Sequence, residues 1–473
     1  MAYLNFPLSG FVFPAFWDET SNILKTKNSL YLGVNPNVFT IQPQVIKANT
    51  FEGNDVIKIK GNENYGLWNN NGDLILGNGN NKVKISGLDS GIFLQSNALI
   101  AFGNGNNKLI GKGEKTGINL ILNSLIEFGN GNNKVVASGS SRGIAISKSS
   151  MKFGNGNNKL NASASGDEGN GYGIQLSGSE SSIEFGDGNN KVTASADGEF
   201  GDGLNITFNP FNPLPELVPP TMLFGNGNNK VTFSAGDVGG NGINISSGSS
   251  LVFGNGNNKV TASAGGEFGD AIDLINASIV FGNGNNKVTA SADNNSNTSN
   301  GIDFFRSSMV FGNGNNKVTS IGGLGDGIFL RSNSSMEFGN GDDILTGESI
   351  SDYGIFCSIS STIVTGFGND IVDAIGGFFG GGTVDLGGDN DQLLGFGGIS
   401  ADGGAGEDTL FLDDGEYRFN FDTNVLSSNG ILMTVTNFEL YGGRETGKSD
   451  LLQLSETTSF EVKDGLVMPT TFA

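Results

Sequence analysis

The sequence predicts an all-β chain, a parallel β-helix (β-solenoid) of about a dozen three-strand coils, on the strength of three observations. First, the phrase Phe-Gly-Asn-Gly-Asn-Asn-Lys-Val recurs almost unchanged. It opens at Phe102, Phe128, Phe153, Phe185, Phe224, Phe253, Phe281 and Phe311, with Leu76 opening an earlier copy and Phe338 a later variant, FGNGDDIL. Successive copies lie 25 to 39 residues apart, too even for chance and too uneven for a strict short repeat. Second, a glycine followed by Ile or Leu stands 9 to 11 residues before the next Phe, as at Ile118, Ile144 and Ile174. The one exception is the segment 207–222, where five prolines mark an extruded loop. Third, no segment sustains a helical period, whereas short alternating runs abound.

Each coil then divides into three strands. The first follows the turn and reads K-V-T-A-S-A, with Val192, Ala194 and Ala196 inward in one copy. The second follows the Gly-Ile landmark, as in GINI at 242–245, and the third approaches the Phe, as in SSMVF at 307–311. Stacking at the strand spacing sets each Phe on the next, an apolar ladder inside the coil. From Phe forward to the next landmark the distance varies from 16 to 21, so one corner is tight and one is loose. In the tight turn G-N-G-N-N, glycine reaches positive φ at little cost and asparagine bonds readily to nearby backbone. Stacked Asn side chains can also hydrogen-bond one another up the column.

Composition removes many chemistries. With no histidine there is no Ser-His-Asp or Cys-His pair and no ordinary zinc site. The single Cys357 excludes an intramolecular disulfide. Arginine is confined to Arg142, Arg306, Arg331, Arg418 and Arg444, and a net charge of -22 opposes nucleic-acid binding. No apolar run is long enough for a membrane-spanning helix. The charge is also uneven: residues 1–330 carry 25 acidic and 21 basic side chains, and residues 331–473 carry 23 and 5. Such crowding opposes folding unless cations neutralise it, which makes the C-terminal third the cation-dependent part.

There the turns gain carboxylates. GGAGEDTLF at 403–411 matches G-G-x-G-x-D-x-U-x through Gly403, Gly404, Gly406, Asp408 and Leu410. GFGNDIV at 366–372 matches through Gly366, Gly368, Asp370 and Val372, and FGNGDDIL at 338–345 through Gly339, Gly341, Asp343 and Leu345. LGGDNDQL at 386–393 keeps Gly388, Asp391 and Leu393. At these four turns the chain resembles the RTX (haemolysin-type calcium-binding) repeat family. The resemblance implies Ca2+ held between stacked turns by the Asp carboxylates and glycine carbonyls, a β-roll-like section, and uncleaved type I secretion to the cell exterior. To a lesser degree the chain resembles oscillin-like fibrillar surface proteins of filamentous cyanobacteria. Hard calcium seeks six to eight oxygens, which suits one carboxylate per turn plus carbonyls. Upstream, Asn107, Asn133, Asn158, Asn190, Asn229, Asn258, Asn286 and Asn316 replace the family aspartate. Asparagine is a neutral and weaker ligand there, so those turns read first as an Asn ladder.

Other features keep two readings. Lysines after each turn, Lys82 through Lys317, form an outward row that either binds anionic polysaccharide or merely keeps a solvated face from aggregating. Acidic loops at the loose corner carry Asp167, Glu199, Asp202, Glu267 and Asp270, as further cation ligands or as solvated loops. The outward positions otherwise look monotonous, without an irregular polar cluster. The organisation expected is a non-repeat cap or assembly segment at 1–50, which lacks a basic leader and a cleavage pattern. An Asn/Gly-turn solenoid follows at 51–337, calcium-binding repeats at 338–411 and a β tail at 412–473. The function expected is a secreted or cell-surface calcium-binding structural protein, not an enzyme, that self-associates into filaments or a surface layer. The alternatives are an adhesin or polysaccharide binder and a calcium-dependent β-helix lyase or epimerase.

Overall fold

The computed structural model describes residues 53–61, 64–166, 171–208, 217–236, 239–292, 298–444, 451–454 and 458–470. It also gives the backbone of four N-terminal strands, Phe16–Asp18, Ile23–Thr26, Leu30–Gly33 and Lys47–Asn49. The aromatic side chains of the N-terminal segment, Asp167 and most of the proline-rich loop lie outside the described residues. Every described element is a β-strand, and the coils, about 14 in all, are those of a parallel β-solenoid with three sheets. The chain forms two compact bodies, residues 1–255 and 256–473.

In the first body the predicted alternation becomes burial. The strands after the turn, such as Lys82–Ser86, Lys108–Lys112 and Lys191–Ala196, stack in parallel with Lys on Lys and Val or Leu on the same. The landmark strands, such as Thr116–Ile121 and Arg142–Ser147, bury Ile118 and Leu120 against Ile144 and Ile146. The third strands, such as Leu125–Phe128 and Ser182–Phe185, put Phe in register with Phe. The rings of Phe102, Phe128, Phe153, Phe185, Phe224 and Phe253 are consecutive neighbours with centroids 4.6 to 4.9 Å apart and planes within 10°. That spacing is the strand spacing, so backbone register sets the aromatic contact. The strands of 23–49, which lack the motif, pair in parallel register with the coil that follows, Ile23 on Val56, Leu30 on Leu67 and Lys47 on Asp73.

The tight turn depends on one glycine. At the second Gly of each copy in this body, Gly79 through Gly227, φ lies between 134° and 137°. A Cβ at Gly105 would also collide with the carbonyl oxygen of Gly79 one coil away. Both facts exclude other residues at that position.

The second body starts as the same three-sided coil and then contracts. The ladder positions Asp343, Asp370, Asp391 and Asp408 are separated by 27, then 21, then 17 residues. The sheet of landmark strands ends at Phe378–Phe379, leaving two-sided coils after it. The column of stacked Phe281, Phe311 and Phe338 gives way in register to Thr365, still in a 27-residue coil, and then to Leu386 as the coil contracts. Thr365 Oγ1 donates to the Leu386 carbonyl at 2.7 Å. Beyond the coils, Gly415–Asn420, Val425–Ser428, Ile431–Thr436, Thr458–Lys463 and Leu466–Pro469 form an antiparallel tail. Ile431–Thr436 also pairs in parallel with Ser400–Asp402, joining that tail to the last coil.

A test follows from the aromatic column. Replacing Phe185 by Ala should cost about 3–5 kcal/mol, and replacing it by Leu less than about 1.5 kcal/mol, measured by equilibrium urea unfolding. Equal, small effects of the two changes would show that the column carries little of the stability.

Candidate metal centre

The last Asn of each turn points inward and is buried. Asn107 shows the full set of its bonds. Its backbone N–H and its Nδ2 both donate to Asn133 Oδ1 in the next coil, at 3.2 and 3.0 Å. Nδ2 also donates to the carbonyls of Gly103 and Gly105 in its own turn, at 2.9 and 3.1 Å. The pattern repeats from Asn81 through Asn190 in the first body, and Asn258, Asn286 and Asn316 carry the same coil-to-coil bonds in the second. The amide group is therefore used at both ends: Oδ1 takes two donors from the previous coil, and Nδ2 neutralises the glycine carbonyls. Two exposed Asn columns flank it and run the other way, with Asn104 N–H on Asn78 Oδ1 and Asn106 N–H on Asn80 Oδ1.

In the second body the buried column becomes carboxylate without a change of geometry. Asn316 N–H donates to Asp343 Oδ1 at 2.6 Å, Asp343 to Asp370 at 2.7 Å, Asp370 to Asp391 at 2.7 Å and Asp391 to Asp408 at 2.8 Å. One carboxylate oxygen has thus kept the asparagine's accepting role. The other stands where Nδ2 stood and has nothing to donate. The Oδ2 atoms of Asp343, Asp370, Asp391 and Asp408 are all buried without a hydrogen-bond partner. The carbonyls four and two residues before each Asp, glycine in every case but Asp389, have likewise lost the side-chain amide of the Asn turns, and those of Gly366 and Gly387 accept the N–H of Gly388 and Ala405 instead, both at 2.9 Å.

Burial therefore acts on these carboxyls. Desolvation pushes Asp343 up to about 7, Asp370 up to about 6 and Asp391 up to about 8, against the partial relief of the coil-to-coil hydrogen bonds and, at Asp370, of the neighbouring Thr365 hydroxyl. Asp408 is raised by the same cause, with Glu439 and Asp402 adding to it. A bound cation would remove the need for a proton, and each site offers a hard anionic oxygen beside backbone carbonyls, the donor set that calcium prefers.

The residue that follows the ladder agrees. It is Lys after every neutral Asn from Asn81 to Asn316, and Ile344, Ile371, Gln392 and Thr409 after the four aspartates. These residues share one column, with Lys317 in register with Ile344 and Ile344 with Ile371. If the carboxylates drew their compensation from side chains, a lysine would be kept beside them. The lysine thus disappears from the chain at the turns where the buried carboxylate appears.

Among the glycines singled out in the sequence, Gly339 and Gly341, Gly366 and Gly368, and Gly404 and Gly406 occupy those carbonyl positions before their aspartates. Gly388 does not: the corresponding positions before Asp391 are Gly387 and Asp389, and the Gly388 carbonyl takes the Gly368 N–H at 3.1 Å. Glu439 was not foreseen. It stands in register below Asp408 and its Oε2 accepts the Asp408 N–H at 2.9 Å, ending the ladder with a tail residue. Only the order Glu-Leu before a strand in the Asp408 register hints at that role in the sequence.

The loose corner holds a second, shorter polar column. Asp202 Oδ1 accepts Asn241 N–H at 2.9 Å in the first body. In the second, Asp270 Oδ1 accepts Asn300 N–H at 2.6 Å, Asn300 Oδ1 accepts Asp326 N–H at 2.8 Å and Asp326 Oδ1 accepts Tyr353 N–H at 3.1 Å. Burial raises Asp202 to about 6 and Asp326 to about 7. Beside this column Asp273 and Asp303 join Asp270, with carboxylate oxygens within 4.8 Å of one another. The sequence reading singled out Asp270 alone. Arg331 already supplies a cation, gripping Asp303 through Nε at 3.1 Å and Nη2 at 2.8 Å. Glu199 and Glu267 are exposed. Cys357 is buried, with its thiol pushed up to about 12 by desolvation.

No family model, curated protein or solved structure matches the chain.

Two outcomes test the ladder. Converting Asn133 to Asp leaves a buried acceptor facing the Gly129 and Gly131 carbonyls and should cost on the order of 3 kcal/mol at pH 8. The same change at exposed Asn106 should be within about 0.5 kcal/mol, both read from urea unfolding. In chelator, the raised carboxyls make the folded state the stronger proton binder. Their contribution is therefore fully present below the ordinary carboxyl value of 3.8 and is lost as pH rises from there through about 6 to 8, so the urea midpoint of the C-terminal coils should fall across that whole range and level off above it.

Proposed function

We propose that this protein is an extracellular, non-catalytic structural solenoid whose contracted C-terminal coils bind calcium and which self-associates. The observation that carries the calcium reading is the set of four buried Oδ2 atoms, each in the place of a donor and each without one. The loss of lysine at the same turns supports it, as does the excess of carboxylates in the last third. A site with one carboxylate per coil and otherwise neutral oxygens suits a compartment where calcium is plentiful, and sites of extracellular modules work at about 10⁻⁴–10⁻³ M. The resemblance to RTX repeats supports the same compartment and a type I route.

Self-association draws support from two features. A solenoid has open strand edges at its ends. Large apolar side chains are also exposed on the antiparallel tail, among them Phe421, Ile431, Leu432, Leu466 and Met468. They sit on three segments of the tail, Ile431 and Leu432 together at the start of one strand, and exposed apolar side chains of this size mark a surface for a partner when they come together.

The decisive variant is Asp370→Asn, which restores the missing donor in an otherwise unchanged turn. It should lower the calcium stoichiometry in isothermal titration while raising stability in chelator above that of the parent. If calcium is absent from the parent, or if the variant is the less stable in chelator, the calcium reading fails. Sedimentation and negative-stain microscopy should show filaments or sheets in millimolar calcium that disperse in chelator, and Leu432→Glu should weaken them. Single particles in both conditions would remove the assembly reading and leave the calcium sites untouched.

A further inference from the structure

The outer surface of the first sheet in the body 1–255 carries charge of a single sign. Lys82, Lys108, Lys134, Lys159, Lys191 and Lys230 stack in parallel register, one per coil, at the strand spacing. Lys58, Lys60, Lys84 and Lys112 widen the column at its N-terminal end, and all four are exposed. No outward position on these seven strands, from Val56–Lys60 to Lys230–Ala235, holds a carboxylate. Among the described residues, the ion pairs of this body join Lys115 to Asp89 and Lys152 to Glu184 and involve none of these lysines.

The third sheet of the same body shows what a merely solvated face looks like. Its outward positions mix Asp73, Glu127, Lys152 and Glu184, and Lys152 pairs with Glu184 in the next coil at 3.2 Å. On the first sheet the lysine is instead retained in the six successive coils from Lys82 to Lys230, with Val56 at that position one coil earlier, although like charges at strand spacing repel. Its neighbour two places on drifts from Lys84 through Ile110, Val136 and Asn161 to Thr193. A position kept constant within one chain against its own electrostatic cost, beside one that drifts freely, marks the lysine column as a surface for an anion.

We infer that this lysine column binds a linear anionic polysaccharide laid along the coil axis, one acidic or sulfated sugar per coil or two. A straight line of point charges with a fixed repeat fits a regular polymer better than the irregular surface of a folded protein. The flanking groups include hydroxyls and carboxamides, Ser138, Ser163, Thr193 and Asn106 among them, which suit sugar hydroxyls, beside the apolar Ile110 and Val136. The face has neither the arginine forks that read bases nor the aromatic side chains on which single strands stack. One carboxylate, the exposed Asp187, interrupts the turn column beside the lysines; Glu114 and Asp197 stand at the loose corner, at the opposite edge of the sheet, in a groove lined by serines.

The test uses the whole chain in calcium with dextran sulfate as the probe, neutral dextran and double-stranded DNA as competitors, and titration at several salt concentrations. Dextran sulfate should bind with an affinity that falls steeply with salt, and Lys108→Gln/Lys134→Gln/Lys159→Gln together should weaken it about tenfold or more. Lys152→Gln, on the mixed third face, should leave it unchanged. Circular dichroism of both variants should match the parent, since each exchanged side chain projects to solvent. No binding of dextran sulfate, equal binding by the triple variant, or DNA bound as tightly as the glycan would overturn the inference. So would salt-reversible self-association through the same lysines without glycan, which would make a second copy the occupant.

Discussion

The structure depends on a single buried contact, repeated once per coil: the side-chain oxygen at the inner corner of the tight turn, which accepts the backbone N–H of the equivalent residue one coil earlier. A parallel solenoid has no hairpins to fix its register, and slippage by one residue would turn the core face outward. The corner oxygen prevents slippage by binding a backbone group that only the correct register presents. The Phe rings follow from it, since they lie five residues back along the chain and stack at whatever spacing the corner sets. So do the lysines, which begin the next strand.

The corner also explains how one architecture accommodates two chemistries. Asparagine brings an acceptor and a donor on one planar group, so a neutral coil satisfies its own glycine carbonyls. Aspartate keeps the acceptor and replaces the donor by a second acceptor. The hydrogen-bond ladder survives from Asn316 through Asp408, but every carboxylate coil now requires a positive partner, either a proton or a metal ion. In the same stretch the coil shortens and the phenylalanine column ends. The apolar core shrinks where the ionic demand appears, so calcium would supply cohesion in the section that has least core to supply it.

Much of this was legible in the sequence because it repeats. The spacing of Phe and of Gly-Ile gave three strands and two corners, and the alternation K-V-T-A-S-A assigned Val192, Ala194 and Ala196 to the core. The step from Asn to Asp located the carboxylate column. What lacked a repeat was harder to see. The strands of 23–49 carry no motif, yet pair as a coil by backbone register alone, one reason the coil count exceeds the dozen read from the phrases. The loose corner varies in length, which hid the alternation of Asp and Asn at Asp202, Asn241, Asp270, Asn300 and Asp326. Asp273 and Asp303 come together with Asp270 only because strands 30 residues apart in sequence pair in register. Gly388 was placed one residue from the ladder position because the turn 386–391 has two adjacent glycines and only geometry distinguishes them. Glu439 ends the column from a tail that shares none of the turn sequence.

The central claim is that a cation occupies the place vacated by the asparagine amide. The direct measurement is long-wavelength anomalous diffraction from crystals grown in calcium. The account predicts anomalous peaks beside the Oδ2 atoms of Asp343, Asp370, Asp391 and Asp408, and none beside Asn107, Asn133 or Asn158. Peaks absent from the aspartate turns, or equally present at the asparagine turns, would contradict it.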